Sequence, residues 1–183
     1  GRAYVEPQDI PKIGRFAVIG DPQGASISVF KPTQAMETHD ASKAGEFSWH
    51  ELITTDHEAA FKFYNALFGW EKLSEFDMGP MGKYFLWGRE GKQLGGMFTK
   101  SKDMPMPPSW LYYVTTDDLD AALARAKKLN AKVLNGPMDV PGGERGVRAG
   151  DHADDVRNRS GRVFGGRDVD PQRRQRPARG SAG

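Results

Sequence analysis
Two stretches of this chain open alike, one near each end. Asp9-Ile10-Pro11-Lys12-Ile13-Gly14-Arg15 leads into an apolar run, Phe16-Ala17-Val18-Ile19. Asp139-Val140-Pro141-Gly142-Gly143-Glu144-Arg145 begins the same way and then meets an arginine-rich stretch with no strand pattern. A second echo lies between them. Thr54-Thr55-Asp56 and Thr115-Thr116-Asp117 each end an apolar run and open a helical one. Self-similarity at this spacing points to a duplicated supersecondary unit, which narrows the folds open to the chain.

The first unit reads as β-α-β-β-β. Phe47 to Thr54 has strand character, and Asp56 is placed to cap a helix by accepting from its free first-turn N–H groups. Ala60, Phe61, Tyr64, Leu67 and Phe68 follow at helical spacing, and Gly69 supplies a stop. Trp70–Phe76 is a further strand. Lys83–Trp87 and Gln93–Thr99 flank Arg89-Glu90-Gly91 as a hairpin. The second unit starts again at Trp110–Thr115. Asp117 or Asp118 caps a helix with Leu119, Ala122, Leu123, Ala126 and Leu129 on one face. Asn130 is placed to end it, and Lys132–Leu134 begins a strand.

Residues 1–31 read as the last strands of a preceding domain. Asp21-Pro22-Gln23-Gly24 forms a turn, and Ser26–Phe30 alternates like a half-buried strand. Residues 32–45 are a polar linker. The domain itself spans 46–145, as a module at 46–100 and a partial second module at 108–145. Residues 146–183 form an Arg/Gly-rich tail for which disorder is expected. Arginine without lysine is also the composition of GC-rich coding sequence read out of frame. An incomplete product with no activity of its own therefore stays open. The charge is uneven: residues 145–183 hold ten Arg, five Asp and no Lys, while the rest carries −3.

Composition excludes several chemistries. With no cysteine there is no disulfide, thiolate metal site or cysteine nucleophile. No apolar run approaches membrane-spanning length and no secretory leader is visible, so a cytoplasmic protein with no membrane partner is expected. The tail arginines lack interleaved aromatics and a groove-reading element, so nucleic acid is not an expected partner.

Three motifs together carry a family resemblance. They are Phe47–Asp56 followed by Phe63-Tyr64 and Leu67-Phe68-Gly69-Trp70, then Val114–Ala122, then Asp21-Pro22-Gln23-Gly24-Ala25. In these the chain resembles the vicinal oxygen chelate superfamily of glyoxalases, bleomycin-resistance proteins and extradiol dioxygenases. The resemblance implies an α+β fold of paired βαβββ modules around a cleft, here with the second module incomplete. It also implies a tandem-domain, glyoxalase-like protein, incomplete at both ends.

Enzymes of that family hold a divalent metal on His, Gln or Glu side chains from both modules. Matched residue by residue, those positions fall on Trp49, Leu111 and, in the N-terminal segment, Ser28. Indole has only a donor and Leu has no ligand atom. The resemblance therefore implies a small-molecule-binding protein without the metal site or any other cofactor. A glyoxalase-type lyase or isomerase with Zn, Ni or Fe is the alternative. It would use His50 beside Glu51, although adjacent strand residues point to opposite faces unless a bulge intervenes. His39, His57 and His152 fall in the linker, the first helical turn and the tail, where surface positions are expected.

Alternation places Trp49, Glu51 and Ile53 on one face of the first strand, with Leu111, Tyr113 and Thr115 on the same face of the second-module strand. Phe85, Trp87 and Met97 are expected to join them. An aromatic cleft with one carboxylate suits a small, partly apolar, even cationic ligand. Glu51 is the candidate catalytic group, as a general base raised by burial. Gly95-Gly96 marks a turn or a close backbone approach. Unfinished sheet edges favour a homodimer or strand exchange, and the hairpin of residues 16–30 is expected to fold back and close the sheet.

Overall fold
A computed structural model describes residues 1–38, 40–140, 144–149 and 154–158. Its strands form two sheets. The smaller is N-terminal, an antiparallel meander of β1 (Arg2–Ile10), β2 (Gly14–Gly20) and β3 (Ser26–Pro32). The larger has eight strands drawn from two modules. The first module is β4 (Phe47–Thr54), α1 (His57–Phe68), β5 (Glu71–Asp77), β6 (Lys83–Arg89) and β7 (Lys92–Thr99). The second is β8 (Ser109–Thr116), α2 (Leu119–Lys128), β9 (Val133–Val140), β10 (Glu144–Ala149) and β11 (Asp154–Asn158).

The sheet order is β5-β6-β7-β4-β8-β11-β10-β9, so each module contributes one half. The halves repeat the same topology. β7 runs parallel to β4 in the first, and β11 runs parallel to β8 in the second. β4 and β8 pair antiparallel at the seam. The two strand-to-helix junctions are equivalent, as the sequence echo implies. Asp56 accepts from the Ala59 N–H and Asp118 from the Ala121 N–H, each at 2.9 Å. Gly69 ends α1 in the left-handed region, with φ 68°.

Two stretches differ from the sequence expectation. β10 and β11 lie mostly past Arg145, where the period-2 signal stops. Their sequences, ERGVRA and DDVRN, hold one valine each. Val147 and Val156 are register partners. Too few apolar residues remain to produce an alternation, and the backbone ladder carries the pairing. The rest of the expected tail lies outside the described residues.

The N-terminal hairpin is a correction. β2 and β3 pair with β1 and with each other, and neither enters the eight-stranded sheet. They dock on α1 by side chains instead. Ala25 is fully buried in one cluster with Leu52, Ala60 and Tyr64, and Ile27 packs against it. Asp21 is the joint. Its Oδ1 accepts from the backbone N–H groups of Gln23, Gly24 and Ala25, and its Oδ2 accepts from the Tyr64 hydroxyl at 3.2 Å. A buried carboxylate is tolerated when such donors replace its water.

Strands β4, β6, β7 and β8 carry buried apolar side chains on both faces of the large sheet. On the α1 side, Leu52, Phe85, Trp87 and Met97 pack with Ala60 and Tyr64. On the opposite side, Trp49, Ile53, Tyr84, Leu86, Leu111 and Tyr113 form a second cluster. Phe98, Met78, Met104 and Met106 pack against that cluster.

Candidate functional site
The face away from α1 holds the candidate site. The ladder sets its layout: Glu51 on β4 lies between Gly96 on β7 and Leu111 on β8. Glu51 is buried, with 7% of its surface exposed, beside the apolar and aromatic cluster of Trp49, Ile53, Leu86 and Leu111. The Tyr84 hydroxyl donates to its Oε2 at 2.8 Å. That hydroxyl in turn accepts from the Trp49 indole N–H at 3.1 Å. Indole can only donate, so the phenol receives from Trp49 and directs its own hydrogen to Glu51.

Gly95 and Gly96 sit in mid-strand, and each serves one face. A Cβ on Gly96 would collide with the Tyr84 phenol, so the ring lies directly over this residue. A Cβ on Gly95 would collide with the Trp87 indole on the other face and with the His50 carbonyl. The close-approach alternative for this pair is the one that holds, since β7 runs unbroken from Lys92 to Thr99.

Trp49, Glu51, Ile53, Leu111 and Tyr113 are brought together as alternation implies. Phe85, Trp87 and Met97 are not: they belong to the α1 side. Tyr84 and Leu86 take the places expected of them. From Tyr84 to Trp87 β6 is apolar at every position, so periodicity cannot say which residues face which way. Periodicity does not reveal Tyr84, and the Gly95-Gly96 pair is the sequence sign of a large ring nearby. Thr115 is buried, but its hydroxyl donates to the Ala41 carbonyl at 2.8 Å and so ties down the linker.

The register does shift between Phe47 and Trp49, one of the irregularities that could have turned His50 inward. It falls before both His50 and Glu51, so these two keep opposite faces. His50 Nδ1 lies 3.0 Å from the Leu94 carbonyl and must therefore donate to it. Of the positions matched to the family's metal ligands, Trp49 and Leu111 have no atom that could bind a metal, and Ser28 lies on β3 of the separate sheet. Among the described residues no three His, Asp or Glu side chains gather in a way that would hold a metal ion.

His57 departs from its expected surface position. It is 9% exposed, and its ring meets Phe85 edge-on at 4.3 Å. Its Nδ1 and backbone N–H both engage Thr99 Oγ1, at 2.7 and 3.1 Å, and its Nε2 has no partner. Burial pushes its pKa below the ordinary value. His57 and Thr99 line a cavity of about 500 Å3 at the sheet rim, together with Met81, Lys83, Phe98 and Met104. Phe98 and Met104 also pack on the Trp49 cluster, so the cavity adjoins the candidate site.

Comparison with known families agrees with this architecture. The family model described as the Glyoxalase/Bleomycin resistance protein/Dioxygenase superfamily matches residues 46–161. The chain belongs to that superfamily. Its matched region begins at β4 and covers both modules. A curated relative, the anthracycline biosynthesis protein DauV of Streptomyces sp. (strain C5), is 30% identical over 146 residues. The match takes in 79% of this chain and 52% of DauV. The chain thus spans about half the length of the curated relatives it matches. Among solved structures, a variant of Streptomyces coelicolor methylmalonyl-CoA epimerase in complex with 2-nitronate-propionyl-CoA aligns with TM-score 0.51 at 14% identity. It covers 65% of this chain and all of its own. Protein BH1468 of Bacillus halodurans C-125 aligns with TM-score 0.53 at 10% identity, over 67% of this chain and all of its own. At these identities the structures establish the fold alone. Among the described residues no helix is long and apolar enough to cross a membrane.

Proposed function
We propose that this member of the superfamily binds a small organic molecule on the face that carries Glu51, and does so without the family's metal. The observation that carries the reading is a buried carboxylate, hydrogen-bonded by Tyr84, beside a cluster of Trp49, Leu86, Leu111 and methionines. A carboxylate withdrawn from water into an apolar setting needs partners, and a polar or cationic group of a ligand adds to them. The methionines that cover the face are adaptable and can rearrange around a flat ring.

The donor set supports the metal-free part. Where relatives with a metal would place ligands, this chain has an indole that feeds Tyr84 and a leucine. The relationship to DauV, named for anthracycline biosynthesis, favours a polycyclic aromatic molecule, and the cavity beside Phe98 and Met104 offers a way in. Within this reading Glu51 is the group that meets the ligand's polar end, and the base if a proton is to be taken from it.

A thermal-shift screen of planar aromatic compounds, run beside metal analysis of the purified chain, tests the reading. Stabilisation by such compounds with no bound metal is expected. Stoichiometric zinc, nickel or iron would overturn the metal-free assignment and favour a glyoxalase-type lyase or isomerase.

A further inference from the structure
We infer that Tyr84, seated on Gly96, is the positioning residue of this site: its hydroxyl donates to Glu51 and sets the direction in which that carboxyl group points. The inference rests on the reading of Glu51 as the ligand-facing group.

Trp49 Nε1 carries a hydrogen and no lone pair free to accept, so its 3.1 Å contact with Tyr84 Oη has one polarity. The phenol has a single hydrogen, and at 2.8 Å it goes to Glu51 Oε2. Glu51 Oε2 therefore accepts, and the phenol holds that oxygen in place. All three residues are buried, with Trp49 fully so, and hydrogen bonds count for more where water is excluded. The chain of donors is one-way, from indole to phenol to carboxylate.

β6 reaches β4 only across β7, so the Tyr84 ring has to pass over a β7 residue. That residue is Gly96, the ladder partner of both Leu86 and Glu51. Any side chain there would occupy the space of the phenol. Gly96 has ordinary strand geometry, so backbone conformation gives no reason for glycine there. Its value lies in the room it leaves above it.

A similar arrangement on the α1 side differs in what it holds. Trp110 donates to the Tyr64 hydroxyl at 3.3 Å, and Tyr64 donates to Asp21. Asp21 is further capped by three backbone N–H groups of its own turn and serves as a structural joint. Glu51 instead sits on the face with the adjoining cavity.

The test uses the full chain, 9-aminoacridine as the probe, and two readouts. Fluorescence titration gives probe affinity for the parent, Glu51→Gln, Tyr84→Phe, Gly96→Ala and the Glu51→Gln/Tyr84→Phe pair. Infrared difference spectroscopy on 13C-glutamate protein, with Glu51→Gln as reference, gives the carboxylate stretch of Glu51. The expected result is a Glu51 carboxylate band that shifts in Tyr84→Phe. Probe affinity should fall about tenfold or more in Tyr84→Phe and in Glu51→Gln. The double variant should be no weaker than Glu51→Gln, because Tyr84 acts on the probe through Glu51. Gly96→Ala should reproduce Tyr84→Phe. Tyr84→Phe keeps the ring, and so tests the relay even if Gly96→Ala does not fold. A Glu51 band unmoved by Tyr84→Phe, or additive losses in the double variant, would overturn the inference. A moved band with probe affinity untouched by Glu51→Gln would instead leave the relay standing and remove the proposed function.

Discussion

His57 opens the first turn of α1 with its ring buried against Phe85 and its Nε2 unpaired. Burial lowers its pKa below its ordinary 6.5, so the folded state binds this proton less readily than the unfolded one. The stabilisation is then complete above about pH 6.5 and is lost as pH falls through that value towards the lower folded pKa. Urea unfolding across pH 5 to 7.5 should show stability declining towards acid, with a visibly flatter profile in His57→Gln. Equal slopes in the two proteins would contradict the assignment. Single residues were only partly legible in the sequence. Trp49, Glu51 and Ile53 could be placed on one face because β4 has a clear alternation partner in β8. His57 could not, since nothing in a helix N-terminus reveals that a threonine on β7 and an aromatic on β6 will enclose it. Tyr84 was hidden by a strand apolar on both faces.

The two-residue loop between β6 and β7 shows how much one turn position weighs on an element. Arg89 and Lys92 are register partners, and Glu90 and Gly91 between them both have positive φ, 53° and 73°. Such a turn suits the right-handed twist of a hairpin, yet glutamate carries a steric penalty in that region. Glu90→Asn should raise stability by about 0.5–1 kcal/mol, read as a higher urea midpoint at unchanged slope. The exposed Arg89–Glu90 ion pair, at 3.6 Å, offers little against this. The joint between β3 and α1 predicts the reverse. Tyr64→Phe removes the donor to Asp21 Oδ2 and the acceptor for Trp110, and should cost about 1–2 kcal/mol. Hydrogen exchange should locate the loss in residues 14–32, and unchanged protection there would argue against docking through this joint. Elements with strong periodicity or caps are legible in the sequence, as β4, α1, β8 and α2 show. β10 and β11 were not, because their pairing rests on backbone ladder bonds that leave no mark in a polar sequence.

At the scale of the molecule, the duplicated βαβββ architecture explains why two halves of one sheet meet at β4 and β8, and why the candidate site lies on that seam. The N-terminal meander is held to this body by packing and one buried carboxylate instead of by strand pairing. The repeat at the two ends therefore marks related segments that occupy different sheets. Fold class was the most legible property, since it follows from repeated junctions and caps that local chemistry dictates. Ligand chemistry was less so, because it depends on which side chains long-range strand pairing brings beside Glu51. The central claim is that this face binds an organic molecule through Glu51 and without a metal. Its most direct test is calorimetric titration of 9-aminoacridine into chelator-treated full chain and into its Glu51→Gln variant. Binding should survive chelation and weaken about tenfold in the variant. Binding that vanishes on chelation and returns with zinc, or that ignores Glu51→Gln, would contradict the account.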